Sequence, residues 1–306
     1  MRRLGNLLKQ PPFLLSGAIL ALFGLGKSWT VDWPVFSQIL TGVGLCLWLA
    51  YVFYWGRHWR KWLQAIQTPA FASSFATFPM ASLLLSHYIS QWPSLLGLAQ
   101  VLWWLAFGGH LALILYFTLT FAKKRWYQQV LPSWTVLYVG IAMGAVTSQV
   151  TGQSILAQLV FYFGLLASLI LYPPLLIRLA KQGLPEALLA QKAILCAPLS
   201  LLLVAGQAIG VFQGAWTYLL IFLILSQALY VYVVISLKTL LRRAFSPAFS
   251  AMTFPLTISA TALQLGLAGL HHPLPWLFWT ERFLATLVLL YVLGQFICKS
   301  TSDSQK

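Results

Sequence analysis

Residues able to move protons, hold metals or attack carbonyls are scarce in this 306-residue chain. Its four acids, Asp32, Glu186, Glu281 and Asp303, are far apart in sequence, so neither paired carboxylates nor an aspartate-rich Mg-diphosphate motif can be assembled. The histidines His58, His87, His110, His271 and His272 are scattered, and Cys46, Cys196 and Cys298 lack metal-ligand spacing. The cysteines read as small hydrophobes, and His87 and His110 as hydrogen-bonded groups inside a bundle. An enzyme is not expected, nor a metal or other cofactor. What the chain does offer is hydroxyl groups at helical spacing: Ser250, Thr253, Thr257, Thr261 and Gln264 follow steps of three and four, one face of an α-helix. Such a face suits water or ions moving along it, or else a closely packed neighbour.

The elements that must carry these residues are membrane spans. Apolar side chains make up 60% of the chain and charged ones 8%, with a mean hydropathy of +0.82. The apolar runs are about 20 residues long, the length with which a helix crosses hydrocarbon. Ten such runs are centred near Leu20, Cys46, Pro79, Phe107, Ile141, Leu165, Pro198, Ile224, Thr261 and Val288. The expected fold is all-α and polytopic, with ten transmembrane helices. The first run follows Arg2, Arg3 and Lys9 but has no small-residue cleavage pattern, so it reads as a retained span.

Sixteen of the 19 basic residues fall at the start, at the end, or in alternate loops: Arg57, Arg60 and Lys61; Lys123, Lys124 and Arg125; Arg178 and Lys181; Lys238, Arg242 and Arg243. By the positive-inside rule both termini are cytoplasmic, in a plasma (inner) membrane, with short segments 1–11 and 299–306 flanking one transmembrane domain. The formal charge of +15 belongs to those loops, so the partner is a lipid bilayer and not nucleic acid. Lys27 alone stands in an opposite loop region, before Asp32. Glu281 and Arg282, a few residues into the tenth helix, are expected to reach the interface. Lys192 either snorkels to headgroups or adds positive potential to an inner vestibule.

Odd and even helices differ in composition. Small residues line the first (Gly17, Ala21, Gly24, Ser28) and the seventh (Ala190, Ala193, Ala197, Ser200), whereas even helices are bulky throughout, as in Trp103-Trp104-Leu105. Short opposite-side connections make consecutive helices antiparallel hairpins. Five odd helices lining a conduit inside five even ones follow from this pattern. Pro79, Pro198 and Pro255 fall inside the third, seventh and ninth spans, where kinks are expected beside water or neighbouring helices that satisfy the freed carbonyls of Phe75, Ile194 and Ala251. A weak repeat pairs the third and ninth helices: Thr68-Pro69-Ala70-Phe71 then Thr77-Phe78-Pro79-Met80, and Ser246-Pro247-Ala248-Phe249 then Thr253-Phe254-Pro255-Leu256.

Five motifs in order, Pro12-Phe13-Leu14-Leu15-Ser16-Gly17, Phe75-Ala76-Thr77-Phe78-Pro79, Leu131-Pro132-Ser133-Trp134, Cys196-Ala197-Pro198 and Ala251-Met252-Thr253-Phe254-Pro255, give a resemblance across almost the whole chain. The sequence resembles the tellurite-resistance and dicarboxylate transporter (TDT) family, which includes TehA-type channels and plant slow anion channels. The resemblance implies five helical hairpins around a pore, a homotrimer with one pore per subunit, and a plugging phenylalanine that falls on Phe254. The repeat makes Phe78 the second aromatic at the constriction. Thr77, Thr253, Thr257, Thr261, Gly17, Ala197 and Ser200 are the expected lining. The expected function is passage of small anions such as chloride or nitrate. The alternative is secondary transport of C4-dicarboxylates or oxyanions such as malate, tellurite or sulfite.

Overall fold

The computed structural model describes residues 2–123, 125–272 and 274–299, with side chains from residue 5 onward. Lys124, Asp303, Lys306 and the side chains of Arg2 and Arg3, named above, lie outside the described residues, as does the tail beyond Lys299.

The protein is an all-α polytopic membrane protein. Eight helical stretches are long and apolar enough to span a bilayer: α2 (Pro34–Arg57), α3 (Pro69–Ile89), α4 (Pro93–Thr120), α6 (Ser154–Lys181), α7 (Glu186–Ala208), α8 (Trp216–Leu241), α9 (Pro247–Gly269) and α10 (Pro275–Lys299). Two shorter apolar stretches, α1 (Leu15–Trp29) and α5 (Pro132–Val146), complete the series. At 15 residues α1 is only about 22 Å long. Twelve of those residues are buried against other helices, so lipid thickness does not set its length.

Burial sorts the helices by parity. The apolar windows of α3, α7 and α9 are 61%, 72% and 72% buried, against 28% for α2 and α8 and 33% for α6. The small residues of the odd helices explain the difference. A Cβ on Gly17 would lie 2.6 Å from Ser250 Oγ, and one on Gly24 would lie 2.9 Å from Thr257 Cγ2, so α1 approaches α9 at a distance only glycine allows. Helix α1 packs on α3, α3 on α5, α5 on α7, α7 on α9 and α9 back on α1, a closed ring. Each even helix packs on the odd helix before it and turns residues such as Phe53, Leu105, Leu159, Ile224 and Leu287 outward. In water these would be an aggregation surface; against lipid tails they cost nothing.

The inner helices are not continuous α-helices. In α3 the segment Pro69–Ser74 stops and α-helix restarts at Thr77. Helix α5 passes through a 3-10 turn at Gly140–Ala142. The first halves of α7 (Glu186–Cys196) and α9 (Pro247–Met252) are 3-10 helices, followed by α-helix from Ala197 and Thr253. The prolines account for the break positions. Pro79, Pro198 and Pro255 each lie in the first turn of a restarted helix, where the missing N–H has no partner to lose. The expected kink is therefore a break, and two of the freed carbonyls are met by protein: Phe75 O accepts from Phe78 N at 2.8 Å, and Ile194 O accepts from Ala197 N.

Candidate functional site

The breaks surround a cavity of about 350 Å³. All five odd helices line it, and among the described residues no lining residue is charged. Its wall runs from Pro12, Ala187 and Ser246, at the face carrying the basic loops, to Met80, Gly140, Leu201 and Phe254 in the middle of the bundle. Four α-helices start beside it, at Leu15, Thr77, Ala197 and Thr253, and so direct the positive ends of their dipoles toward mid-membrane. In a site without competing charge, those ends favour an anion over a cation.

Phe254 lines the cavity from α9. It is 5% exposed, and its ring edge comes within 3.9 Å of where a Gly24 Cβ would sit. The tighter contact at Gly24 is with Thr257 Cγ2, 2.9 Å from the same point. Gly140 has the matching role across the bundle, since a Cβ there would lie 2.7 Å from Met80 Sδ.

Of the residues expected at the conduit, Gly17, Thr77, Ala197, Pro198, Phe254 and Pro255 line the cavity, and Thr77 Oγ1 lies 2.7 Å from Ser16 Oγ. Beyond Ser250, which does line it, the hydroxyl stripe of α9 does not. Thr253 Oγ1 donates to Ser250 O (2.7 Å) and Gly17 O (3.2 Å), and Thr257 donates to Thr253 O while its methyl meets Gly24. These two threonines hold α9 to α1. Thr261 donates to Thr257 O and is half-buried two turns beyond Phe254, on the side away from the cavity. Ser200 is fully buried and donates to Cys196 O (2.6 Å).

Phe78 also stands elsewhere. It stacks on Trp48, Tyr51 and Phe75, facing α2. From Phe71 to Thr77 there are two more residues than from Phe249 to Thr253, and two residues turn an α-helix by roughly 200°. The repeated motif therefore points its phenylalanine inward on α9 and outward on α3, where Thr77 and Met80 take the lining positions. Pro79 likewise does not line the cavity.

Gln191, not foreseen from the sequence, and Ser250, the first residue of the α9 hydroxyl stripe, also line the cavity. Both are buried, and Gln191 Oε1 and Ser250 Oγ lack hydrogen-bond partners. An amide in an apolar run, three and six residues before Ile194 and Ala197 on the same helical side, was the available signal for Gln191. His110 behaves as expected, its Nε2 lying 2.8 Å from Leu137 O. Lys192 is half-buried and does not line the cavity.

Glu281 and Arg282 are both buried within the protein. Arg282 is 1% exposed and pairs with Asp32, donates to Gln264 Oε1 (2.9 Å), and lies over the rings of Trp29 and Trp279 at 4.9 and 5.0 Å. Such a set offsets much of the desolvation of a guanidinium. Glu281 is 4% exposed, beside Gln227 and Ser259. Adjacent residues of an α-helix point about 100° apart, which turns Arg282 toward Asp32, Gln264 and Trp29 and Glu281 toward Gln227 of α8 and Ser259 of α9.

A broken-helix ring around an uncharged cavity, sheathed in lipid-facing helices, defines a multi-pass membrane protein built around its own axis. The family model described as SLAC1, voltage-dependent anion channel, matches residues 12–298, and the chain belongs to that family. Membership makes it an anion channel or transporter and not an enzyme. No curated protein matches the chain.

Proposed function

We propose that the chain is a channel in which small inorganic anions such as chloride or nitrate cross through a pore of its own, plugged by Phe254. The observation that carries this reading is that Phe254 stands in the wall of a cavity without charged lining among the described residues, beside which four α-helices begin. A ring across a narrow apolar passage keeps water out and leaves an ion unsolvated, so turning it aside opens the path. With no cationic side chain in the wall among the described residues, anions bind weakly there and are selected by dehydration cost. The ten helices act as five hairpins in one transmembrane domain, assembled as a homotrimer in the plasma (inner) membrane with both termini cytoplasmic.

Liposomes loaded with chloride test the reading. Phe254→Ala is expected to release chloride rapidly once charge is compensated by valinomycin and potassium, while the wild-type protein releases it slowly. Equal, slow release from both variants overturns it.

Buried Glu281, which has no cationic partner among the described residues, favours a second reading: proton-coupled carriage of a dicarboxylate or oxyanion such as malate, tellurite or sulfite. On that reading Phe254→Ala leaves uptake unchanged or impaired, and malate uptake follows an imposed pH gradient.

A further inference from the structure

A second recess lies beside the cavity at the basic-loop face. It holds about 280 Å³ between the start of α7, the end of α8 and the start of α9. Ala187 and Ser246 belong to the walls of both, so the two recesses are neighbours. Leu189, Leu240 and Phe249 make the second one largely apolar, and Glu186 and Arg243 give it one charge of each sign. Sequence brings the two together at this place: Glu186 opens the 3-10 half of α7, one residue before Ala187, and Arg243 stands two residues past the end of α8 and three before Ser246.

Arg243 Nη1 donates to Glu186 Oε1 at 2.7 Å, so the charges cancel in this structure. The pair is loosely held. The Glu186 side chain is 85% exposed and that of Arg243 40%, and between groups so wet the attraction is screened and the ordering of two long side chains offsets much of it. The contact is one bond and not a two-point fork, and a guanidinium carries more N–H donors than that bond uses. Positive charge also flanks the recess from α10, since Lys299 Nζ lies 5.6 Å from the ring centre of Phe245, another wall residue. Glu186 is the one acid in the lining among the described residues.

From these positions we infer that Arg243 is a binding site for a small monovalent inorganic anion at the basic-loop mouth of the main cavity, and that Glu186 is its built-in competitor, occupying the guanidinium until an anion displaces it. The inference rests on the channel reading for its purpose: an ion held beside Ala187 and Ser246 is next to the uncharged wall, and a guanidinium there raises the local anion concentration while the carboxylate lowers it. Binding at Arg243 can be measured whether or not the protein conducts.

The test is the chloride NMR linewidth of sodium chloride solutions containing the purified protein in a non-ionic detergent, followed as chloride is raised. Glu186→Gln is expected to increase the protein-dependent broadening over wild type and to saturate at a chloride concentration lower by roughly twofold to fivefold, the factor that loss of an exposed ion pair supplies. Adding Arg243→Gln to Glu186→Gln is expected to remove the gain. Adding Lys61→Gln instead, which lowers the net charge equally in another basic loop, is expected to keep it. Gel filtration and thermal unfolding check that each variant is folded. Equal linewidths and saturation for wild type and Glu186→Gln overturn the site, because Glu186 then masks nothing. A gain that survives the loss of Arg243, or that Lys61→Gln removes as well, overturns it too, because the gain then follows overall charge. Should Phe254→Ala carry no current, the channel reading fails while the linewidths still decide the site.

Discussion

Thr253 Oγ1 lies 3.2 Å from the carbonyl oxygen of Gly17, so the hydroxyl opening the second half of α9 is bonded to α1 and not offered to the cavity. The same contact explains why Gly17 carries no side chain, with Ser250 filling the space a Cβ needs.

Gly17→Val is therefore expected to separate α1 from α9. Overpacking of this kind costs about 1–3 kcal/mol. Thermal unfolding in detergent should show a lowered midpoint for Gly17→Val and a smaller loss, on the order of 1 kcal/mol, for Thr253→Val. If Thr253→Val changes ion flux and leaves stability alone, the threonine belongs to the conduit after all.

Phe78 and Phe254 share a motif and should differ in phenotype. Removing Phe78 from its stack with Trp48, Tyr51 and Phe75 is expected to cost roughly 3–5 kcal/mol and to open nothing. Paired thermal melts and flux assays of Phe78→Ala and Phe254→Ala decide this; chloride release from Phe78→Ala liposomes at the rate of Phe254→Ala would speak against the placement.

Arg282 supports a third test. Asp32→Asn leaves a buried guanidinium with only Gln264 and aromatic faces, a loss of about 3–5 kcal/mol for a fully buried pair and less here because Asp32 is partly exposed. The double variant Asp32→Asn with Arg282→Met removes the stranded charge and is expected to recover part of that loss. A double variant less stable than Asp32→Asn would show that the arginine is held by its ring contacts and Gln264 more than by the aspartate.

Gln191 tests the charge-free wall. On the Phe254→Ala background, Gln191→Glu places a carboxylate in the cavity and is expected to cut chloride current by roughly tenfold and raise relative cation permeability. Gln191→Leu should have a much smaller effect. Unchanged selectivity in Gln191→Glu would mean that ions do not pass this residue.

The fold was legible because bilayer thickness acts on run length and composition directly: the ten apolar runs and the small-residue faces of α1 and α7 needed no tertiary knowledge. Phe254, Ala197 and Gly17 were legible as residues, each tied to a motif on an odd helix. Direction around each helix was not. The stripe Ser250, Thr253, Thr257, Thr261 is one face, but periodicity cannot say whether that face meets water or α1, and Gly17 and Gly24 decide it by letting α1 come close. Phe78 was misplaced because two additional residues before a helix restart rotate everything after it, a change sequence similarity alone hides. The burial of Arg282 was not legible, since its partners, Asp32 and Gln264, come from 250 and 18 residues away.

The central claim is that Phe254 is the plug of an anion pore, and the most direct measurement is current across a planar bilayer holding the purified protein in asymmetric chloride, wild type against Phe254→Ala. The account predicts a large current in the variant that reverses near the chloride equilibrium potential, with little in the wild type. Silence in both, or a variant current reversing near the cation equilibrium potential, would contradict it.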